Sequence, residues 1–237
     1  MALFVLADLH LSCTGDKPMD VFHGRWQNHM EKIEKRWNEL IKAEDTVIIP
    51  GDISWAMTLE DAIPDLKFLN SLPGRKIISK GNHEYWWSTA SKINKALAEN
   101  NIHTIELLHN NAVEAEGFAI CGTRGWFTEG NSPKDADYEK IVLREAGRLE
   151  RSLEFAKTEF PELEKLVFLH FPPALDGFVC KQLISTMKSY EVRRCFFGHI
   201  HGKYNIPRLY DFEGIEMRLI SSDFLDFYPY HIQKFTV

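Results

Sequence analysis

The sequence predicts an α/β fold with mixed sheets. Three features lead there: short apolar runs that stop at a polar or glycine residue, amphipathic segments between them, and hairpin-like patterning near the C-terminus. Runs of four to six apolar residues suit strands buried on both faces. Alternation of such strands with helices argues for layered α/β packing.

The first run is Leu3-Phe4-Val5-Leu6-Ala7, stopped by Asp8. Val47-Ile48-Ile49 stops at Gly51-Asp52, and Ile77-Ile78 stops at Gly81-Asn82. Leu166-Val167-Phe168-Leu169 ends at His170, and Cys195-Phe196-Phe197 ends at Gly198-His199. Between them, Trp26, Met30, Ile33, Trp37 and Leu40 recur at helical spacing, with Glu31, Lys32, Lys35 and Arg36 off that face. Leu143, Ala146, Leu149, Leu153 and Ala156 form a second such stripe. Both predict amphipathic helices covering a sheet. Asp211 to Glu216 reads as a hairpin turn and Tyr228 to Val237 as a closing strand. Nothing in the chain reads as a repeat or a linker, so residues 1–237 are expected to form one domain.

Composition narrows the function. Hydrophobic residues make up 44% and charged residues 26%, a globular balance. The formal net charge of -6 argues against extended nucleic-acid binding through phosphate contacts, but not against small phosphate substrates. Cys13, Cys121, Cys180 and Cys195 form no C-x-x-C pair, and the start lacks a leader pattern. A reduced, cytoplasmic protein is expected, without a membrane span.

All five runs end in a residue able to bind metal: Asp8 and His10, Asp52, Asn82 with His83, His170, then His199 and His201. Taken singly, an Asp after a strand is a turn former, and a lone His a hydrogen-bonded core residue. Together they place ligands in the crevice outside the strands' carboxyl ends. The set is imidazole, carboxylate and one amide, without thiolate, which suits Mn, Fe, Zn or Ni rather than a structural zinc cage. Asp8, His10, Asp52, Asn82, His170, His199 and His201 exceed the three or four ligands one open ion needs. They fit two ions about 3.5–4 Å apart bridged by a carboxylate.

Asp8-Leu9-His10, Gly51-Asp52, Gly81-Asn82-His83-Glu84, His170 and Gly198-His199-Ile200-His201, in this order, resemble the calcineurin-like metallophosphoesterase family. The resemblance implies a four-layered αββα sandwich with a dinuclear site at its edge. By motif position it implies that Asp8, His10 and His201 hold one ion, that Asn82, His170 and His199 hold the other, and that Asp52 bridges them. It makes His83 a substrate-facing residue rather than a ligand. Glu84 is left as either the partner of the His83 ring or a surface residue.

The expected reaction is attack of a metal-bridging hydroxide on a phosphoester, with Mn the leading metal and His83 assisting the leaving group. The family's protein serine/threonine phosphatases carry an arginine after the second block. Here Ile53-Ser54-Trp55-Ala56-Met57 follows instead. A phosphodiester, with one less charge, is therefore the leading substrate class, and a nucleotide or small monoester or a pyrophosphate the alternative. A protein-binding scaffold is the non-enzymatic alternative, opposed by the complete ligand set and His83. Arg124, between Gly122 and Gly125, is read as a structural surface-loop arginine rather than a phosphate clamp. Thr128 to Asp137 is read as a loop over the site, and Trp86 and Trp87 as packing beneath the Asn82 loop. His23, His29, His103 and His109 are expected at the surface or in a polar connection, His231 in the closing strand, and Cys13 in packing.

Overall fold

The structure is a computed structural model that describes residues 1–15, 19–127 and 137–234. The first sheet begins with β1 (Leu3–Val5), followed by α1 (His29–Leu40), β2 (Thr46–Pro50), α2 (Leu59–Ser71), β3 (Arg75–Ser79), α3 (Ala90–Glu99) and β4 (Ile105–Leu107). The second collects β5 (Val113–Ala115), β6 (Phe118–Thr123), α4 (Tyr138–Glu159) and β7 (Glu164–Leu169). A small hairpin, β8 (Ala174–Leu175) with β9 (Phe178–Val179), leads into α5 (Lys181–Ser189). Then come β10 (Arg194–Phe197), β11 (Leu209–Phe212), β12 (Ile215–Leu219) and β13 (Tyr230–Ile232).

Strand order is β13-β1-β2-β3-β4 in one sheet and β11-β12-β10-β7-β6-β5 in the other. The inner pairs are parallel, while β13, β11 and β5 pair antiparallel at the edges. Mixed sheets are thus observed as expected.

Side-chain alternation explains why the strands read as unbroken apolar runs. Phe4, Leu6, Val47 and Ile49 face a core shared with Ile33, Trp37, Leu66 and Ile93 of the first three helices. Leu3, Val5, Ile48 and Ile77 face the other way, onto Ile120, Leu166, Phe168 and Phe196 of the second sheet. The outer face of that sheet, with Val167, Leu169, Cys195 and Phe197, packs on Leu149, Leu153 and Met187 of α4 and α5. The layers are helix, sheet, sheet, helix: the four-layered sandwich. At one edge the sheets are joined by backbone bonds, Ala7 N–H to the Ile220 carbonyl (2.9 Å) and Ser222 N–H to the Ala7 carbonyl (3.0 Å).

Two helix readings shift. α1 starts at His29, because Asn28 adopts a left-handed conformation at φ 54, and Trp26 belongs to a preceding 3₁₀ turn. In α4 the buried face is Tyr138, Val142, Glu145, Leu149, Ser152, Leu153 and Ala156, while Leu143 is exposed. Helical spacing alone did not separate Leu143 from this face: its neighbour Val142 is the buried residue, one turn before the buried carboxylate Glu145. The Asp211–Glu216 turn is a two-residue hairpin through Glu213 and Gly214, whose positive φ values of 52 and 84 suit a type I′ turn. The closing strand is Tyr230–Ile232, shorter than expected, and residues 235–237 lie outside the described residues. The loop read at Thr128–Asp137 lies, up to residue 136, outside them too. Among the described residues, no helix is long and apolar enough to cross a membrane.

Candidate metal centre

All seven expected ligand residues follow the carboxyl ends of β1, β2, β3, β7 and β10, and the fold brings these ends to one edge. Asp8, His10 and His201 present ligand atoms within 4.8 Å of one another, and so do Asp52, His170 and His199. The two groups touch. His10 Nε2 lies 3.3 Å from His201 Nε2 and 3.7 Å from Asp52 Oδ2. His170 Nε2 lies 3.5 Å from Asp52 Oδ2 and 2.6 Å from Asn82 Oδ1. Its other ring nitrogen is 3.5 Å from Asp8 Oδ1. Asp52 therefore stands between the two groups. His83 Nε2, 3.9 Å from Asp52 Oδ2, belongs to neither, and its side chain is about a third exposed at 29%.

Tight turns make this convergence possible. Asp8, His10, Asp52 and His199 all have positive φ, between 47 and 70. Such values are uncommon for non-glycine residues. Gly81 and Gly198 allow the close approach: a Cβ on Gly198 would lie 2.5 Å from Asp8 Oδ2, and one on Gly81 would run into the Asp52 carboxylate. The His199 N–H in turn donates to Asp8 (2.9 Å), and the His83 N–H to Asp52 (2.9 Å).

Burial sets the electrostatics. Desolvation pushes the Asp8 carboxyl up to about 6, against the lowering charge of His201. Asp52 is raised well above the carboxylate range by burial, then by the charges of Glu84 and Asp8. Burial, with crowding by neighbouring imidazoles, lowers His10 and His170 well below the imidazole value and His199 to about 4. In His201 burial also pulls downward, but the hydrogen bond to Asp223 and the charges of Asp8 and Asp223 outweigh it and raise the pKa. Neutral imidazoles are the ligand form. Buried carboxylates facing them, with no cationic side chain in either group, form a donor set suited to a divalent cation, whose charge would reverse the cost of ionising Asp8 and Asp52.

Three residues support the centre in ways the sequence reading did not assign. Asp223, after β12, accepts from His201 Nδ1 (2.8 Å) and Gly202 N–H (2.9 Å), which turns the His201 Nε2 lone pair toward the cluster. Its signal was a sixth strand end, Ile220-Ser221-Ser222-Asp223, after a strand less apolar than the others. Trp55 stacks on the His10 ring at 4.9 Å and lies 4.2 Å from the His83 ring. The ring of His29 reaches the His10 carbonyl (3.2 Å), so His29 is buried, not at the surface; it marks the inward face of α1.

Other readings change as well. Glu84 is neither partner of His83 nor a surface residue. It is 1% exposed and accepts from the backbone N–H groups of Asp52 (2.9 Å), Ile53 and Gly81, clamping the second block to the third. Burial lifts its carboxyl to about 7 even against those bonds. Arg124 is largely buried, 3.9 Å from Glu145, and its carbonyl accepts from the His170 N–H (3.1 Å). Trp86 is buried and Trp87 packs partly buried against the same core, both as expected, with Trp87 also lining a side cavity. Cys13 is exposed rather than packed. His23, His103 and His109 are exposed, and His231 lies in β13.

A four-layered sandwich with Asp, His and Asn side chains converging at a shared strand edge defines a protein of the metallophosphoesterase class. The chain belongs to the calcineurin-like phosphoesterase family, which it matches over residues 1–203. That family is metal-dependent and typically dinuclear. Among solved structures the chain is similar to TT1561 of Thermus thermophilus, with a TM-score of 0.59 at 13% identity over 94% of this chain and 89% of that one. It is also similar to phosphopantetheinyl hydrolase from Mycobacterium tuberculosis, with a TM-score of 0.52 at 17% identity over 98% and 95%. At such identities the likeness shows the fold alone. No curated protein matches the sequence.

Proposed function

We propose that the chain hydrolyses a phosphodiester at two divalent ions held by its strand ends. Asp8, His10 and His201 would hold the first, Asn82, His170 and His199 the second, and Asp52 would bridge them. The observation that carries this is the position of Asp52 Oδ2, within 3.5–3.7 Å of a histidine of each group. Mn is the leading metal, since the donors are imidazoles, carboxylates and an amide oxygen. When bound, the ions would supply an acidified water and neutralise charge on the phosphoryl oxygens.

The chain's own residues do the rest. Asp223 holds the His201 proton on Nδ1 and aims Nε2 inward. The Asp52 backbone N–H, anchored on Glu84, and the His83 N–H, anchored on Asp52, fix the second and third blocks against each other. His83 carries a proton at Nε2 toward the leaving oxygen, and Trp55 beneath its ring limits where that ring can point. Trp55 stands in the stretch where the family's protein phosphatases place a phosphate-gripping arginine. An apolar wall there favours the singly charged diester over the dianionic monoester.

Hydrolysis of bis-p-nitrophenyl phosphate and of p-nitrophenyl phosphate by the Mn-loaded protein tests this reading. A higher kcat/KM for the diester, abolished by Asp52→Asn, is expected. A monoester preference would overturn the substrate class, and turnover that survives Asp52→Asn would overturn the site.

A further inference from the structure

A cavity of about 440 Å³ lies beside the metal centre, between the ends of β3 and β6 and the first half of α4. It is joined to the centre through the chain: Lys80 precedes Gly81-Asn82, and the Arg124 carbonyl holds the His170 N–H. Its walls carry Lys80, Arg124, Arg144 and Arg148. Two buried carboxylates act on them: Glu84, turned onto the backbone N–H groups of Asp52, Ile53 and Gly81, and Glu145, already engaged by Thr123 Oγ1 (2.7 Å) and Arg148 (2.7 Å). Arg144 and Arg124 stand farther from Glu145, at 3.8 and 3.9 Å. Four cations against two carboxylates leave a surplus of two positive charges, on a protein whose formal net charge is -6.

Several of the donors there are not spent. Lys80 makes no hydrogen bond or ion pair with any described residue. Ser79 is 3% exposed, lines the cavity, and its buried Oγ has no partner among the described residues. The buried Arg124 Nε is likewise without one. Ser88 and Thr89, at the start of α3, add the positive end of a helix to the same wall. Unsatisfied buried donors around a cationic hollow are costly unless an acceptor fills it. Forked guanidinium donors with a hydroxyl and an ammonium match a tetrahedral oxyanion.

We propose that this cavity is a phosphate-binding site distinct from the metal centre, with Ser79, Lys80, Arg124, Arg144 and Arg148 as its donors. Its occupant is a second phosphate of the substrate, an assignment that rests on the phosphodiesterase reading. The favoured substrate then carries a phosphomonoester away from the bond that is cut.

Calorimetric titration of inorganic phosphate into chelator-treated protein tests the site without metal. Lys80 is unpaired among the described residues and Arg144 only loosely held, so K80Q/R144Q removes two charges without breaking a close buried ion pair; circular dichroism checks its fold. Phosphate is expected to bind the wild type and Asp52→Asn alike, and roughly a hundredfold more weakly in K80Q/R144Q, which loses two charge-assisted contacts of about tenfold each. No binding, or binding weakened by Asp52→Asn and not by K80Q/R144Q, would overturn the site.

A second arm identifies the source of the anion: KM of the Mn-loaded protein for the p-nitrophenyl ester of thymidine 5′-phosphate, with and without a 3′-phosphate. A KM about tenfold lower with the 3′-phosphate, equalised in K80Q/R144Q, assigns the anion to the substrate; equal values overturn that assignment and leave free phosphate as the ligand. Phosphate binding without turnover of any ester would defeat the phosphodiesterase reading and leave the anion site standing.

Discussion

Asp8, His10, Asp52 and His199 hold left-handed backbone conformations that cost of order 1–3 kcal/mol each for non-glycine residues. They persist because each block is tied to another: His199 to Asp8, His83 to Asp52, and Glu84 to three backbone N–H groups of the second and third blocks. His83→Ala removes none of these ties, since its backbone N–H remains. It is expected to keep full metal content and to lower kcat by roughly 10²–10⁴-fold, read by metal analysis beside steady-state kinetics; loss of metal would make His83 a ligand. Asp223→Asn frees the His201 ring and is expected to weaken metal binding about 10–100-fold, read by chelator competition. The residues that touch the centre were legible because each follows an apolar run. Those that act through another residue were not. Glu84 is adjacent to His83 in sequence, yet points backward into the core, and only its three backbone partners reveal its role. Trp55 looks like any core aromatic until its ring is found against His10 and His83.

At the scale of elements, the tightest constraint lies where β10 turns into its ligand loop. A methyl on Gly198 would meet Asp8 Oδ2 at 2.5 Å and the Ala7 side chain at 2.7 Å. Gly198→Ala is therefore expected to destabilise the protein by about 1–3 kcal/mol, read by urea unfolding. In β3, Lys76 is fully buried with its ammonium donating to the Leu72 carbonyl and to Thr104 Oγ1, and burial lowers its pKa to about 8. The unfolded chain keeps that proton up to about 10.5 and so holds more protons between pH 8 and 10.5. Lys76 thus makes stability rise with pH across that window. Lys76→Met is expected to remove this contribution, so that its urea midpoint gains less than the wild type's between pH 8 and 10; an unchanged gain would show that Lys76 is not the source. The five buried strands and the terminal hairpin were legible because two-sided burial writes unbroken apolar runs and a tight turn writes Glu-Gly. On α4 Leu149, Leu153 and Ala156 are inward as the stripe predicts, but Leu143 is not: Val142 beside it is the buried one, and two adjacent apolar residues leave the choice open to spacing alone. The helices α2, α3 and α5 escaped notice because their apolar stripes are short.

For the molecule as a whole, the centre joins the two sheets. Asp8, Asp52 and Asn82 come from the first, and His170, His199 and His201 from the second. Ions bound there would cross-link both halves of the sandwich and would stabilise the folded chain as a ligand does, by about 2.7 kcal/mol at a hundredfold excess over Kd. For a chain of this length that corresponds to roughly 5–10 °C in Tm. Chelation is expected to lower Tm by that amount and Mn to restore it, read by calorimetry. A Tm indifferent to chelation would mean that no ion bridges the sheets. The layered fold and the converging strand ends were readable from the order of five short motifs. The basic cavity beside them was not, because Lys80, Arg124, Arg144 and Arg148 are scattered in sequence and meet only where α4 crosses the ends of β3 and β6.

The most direct test of the two-ion centre is an anomalous difference map from crystals of the Mn-loaded protein. Two peaks about 3.5–4 Å apart are expected. One should lie among Asp8, His10 and His201, the other among Asn82, His170 and His199, with Asp52 touching both. A single peak, or peaks away from these strand ends, would contradict the account.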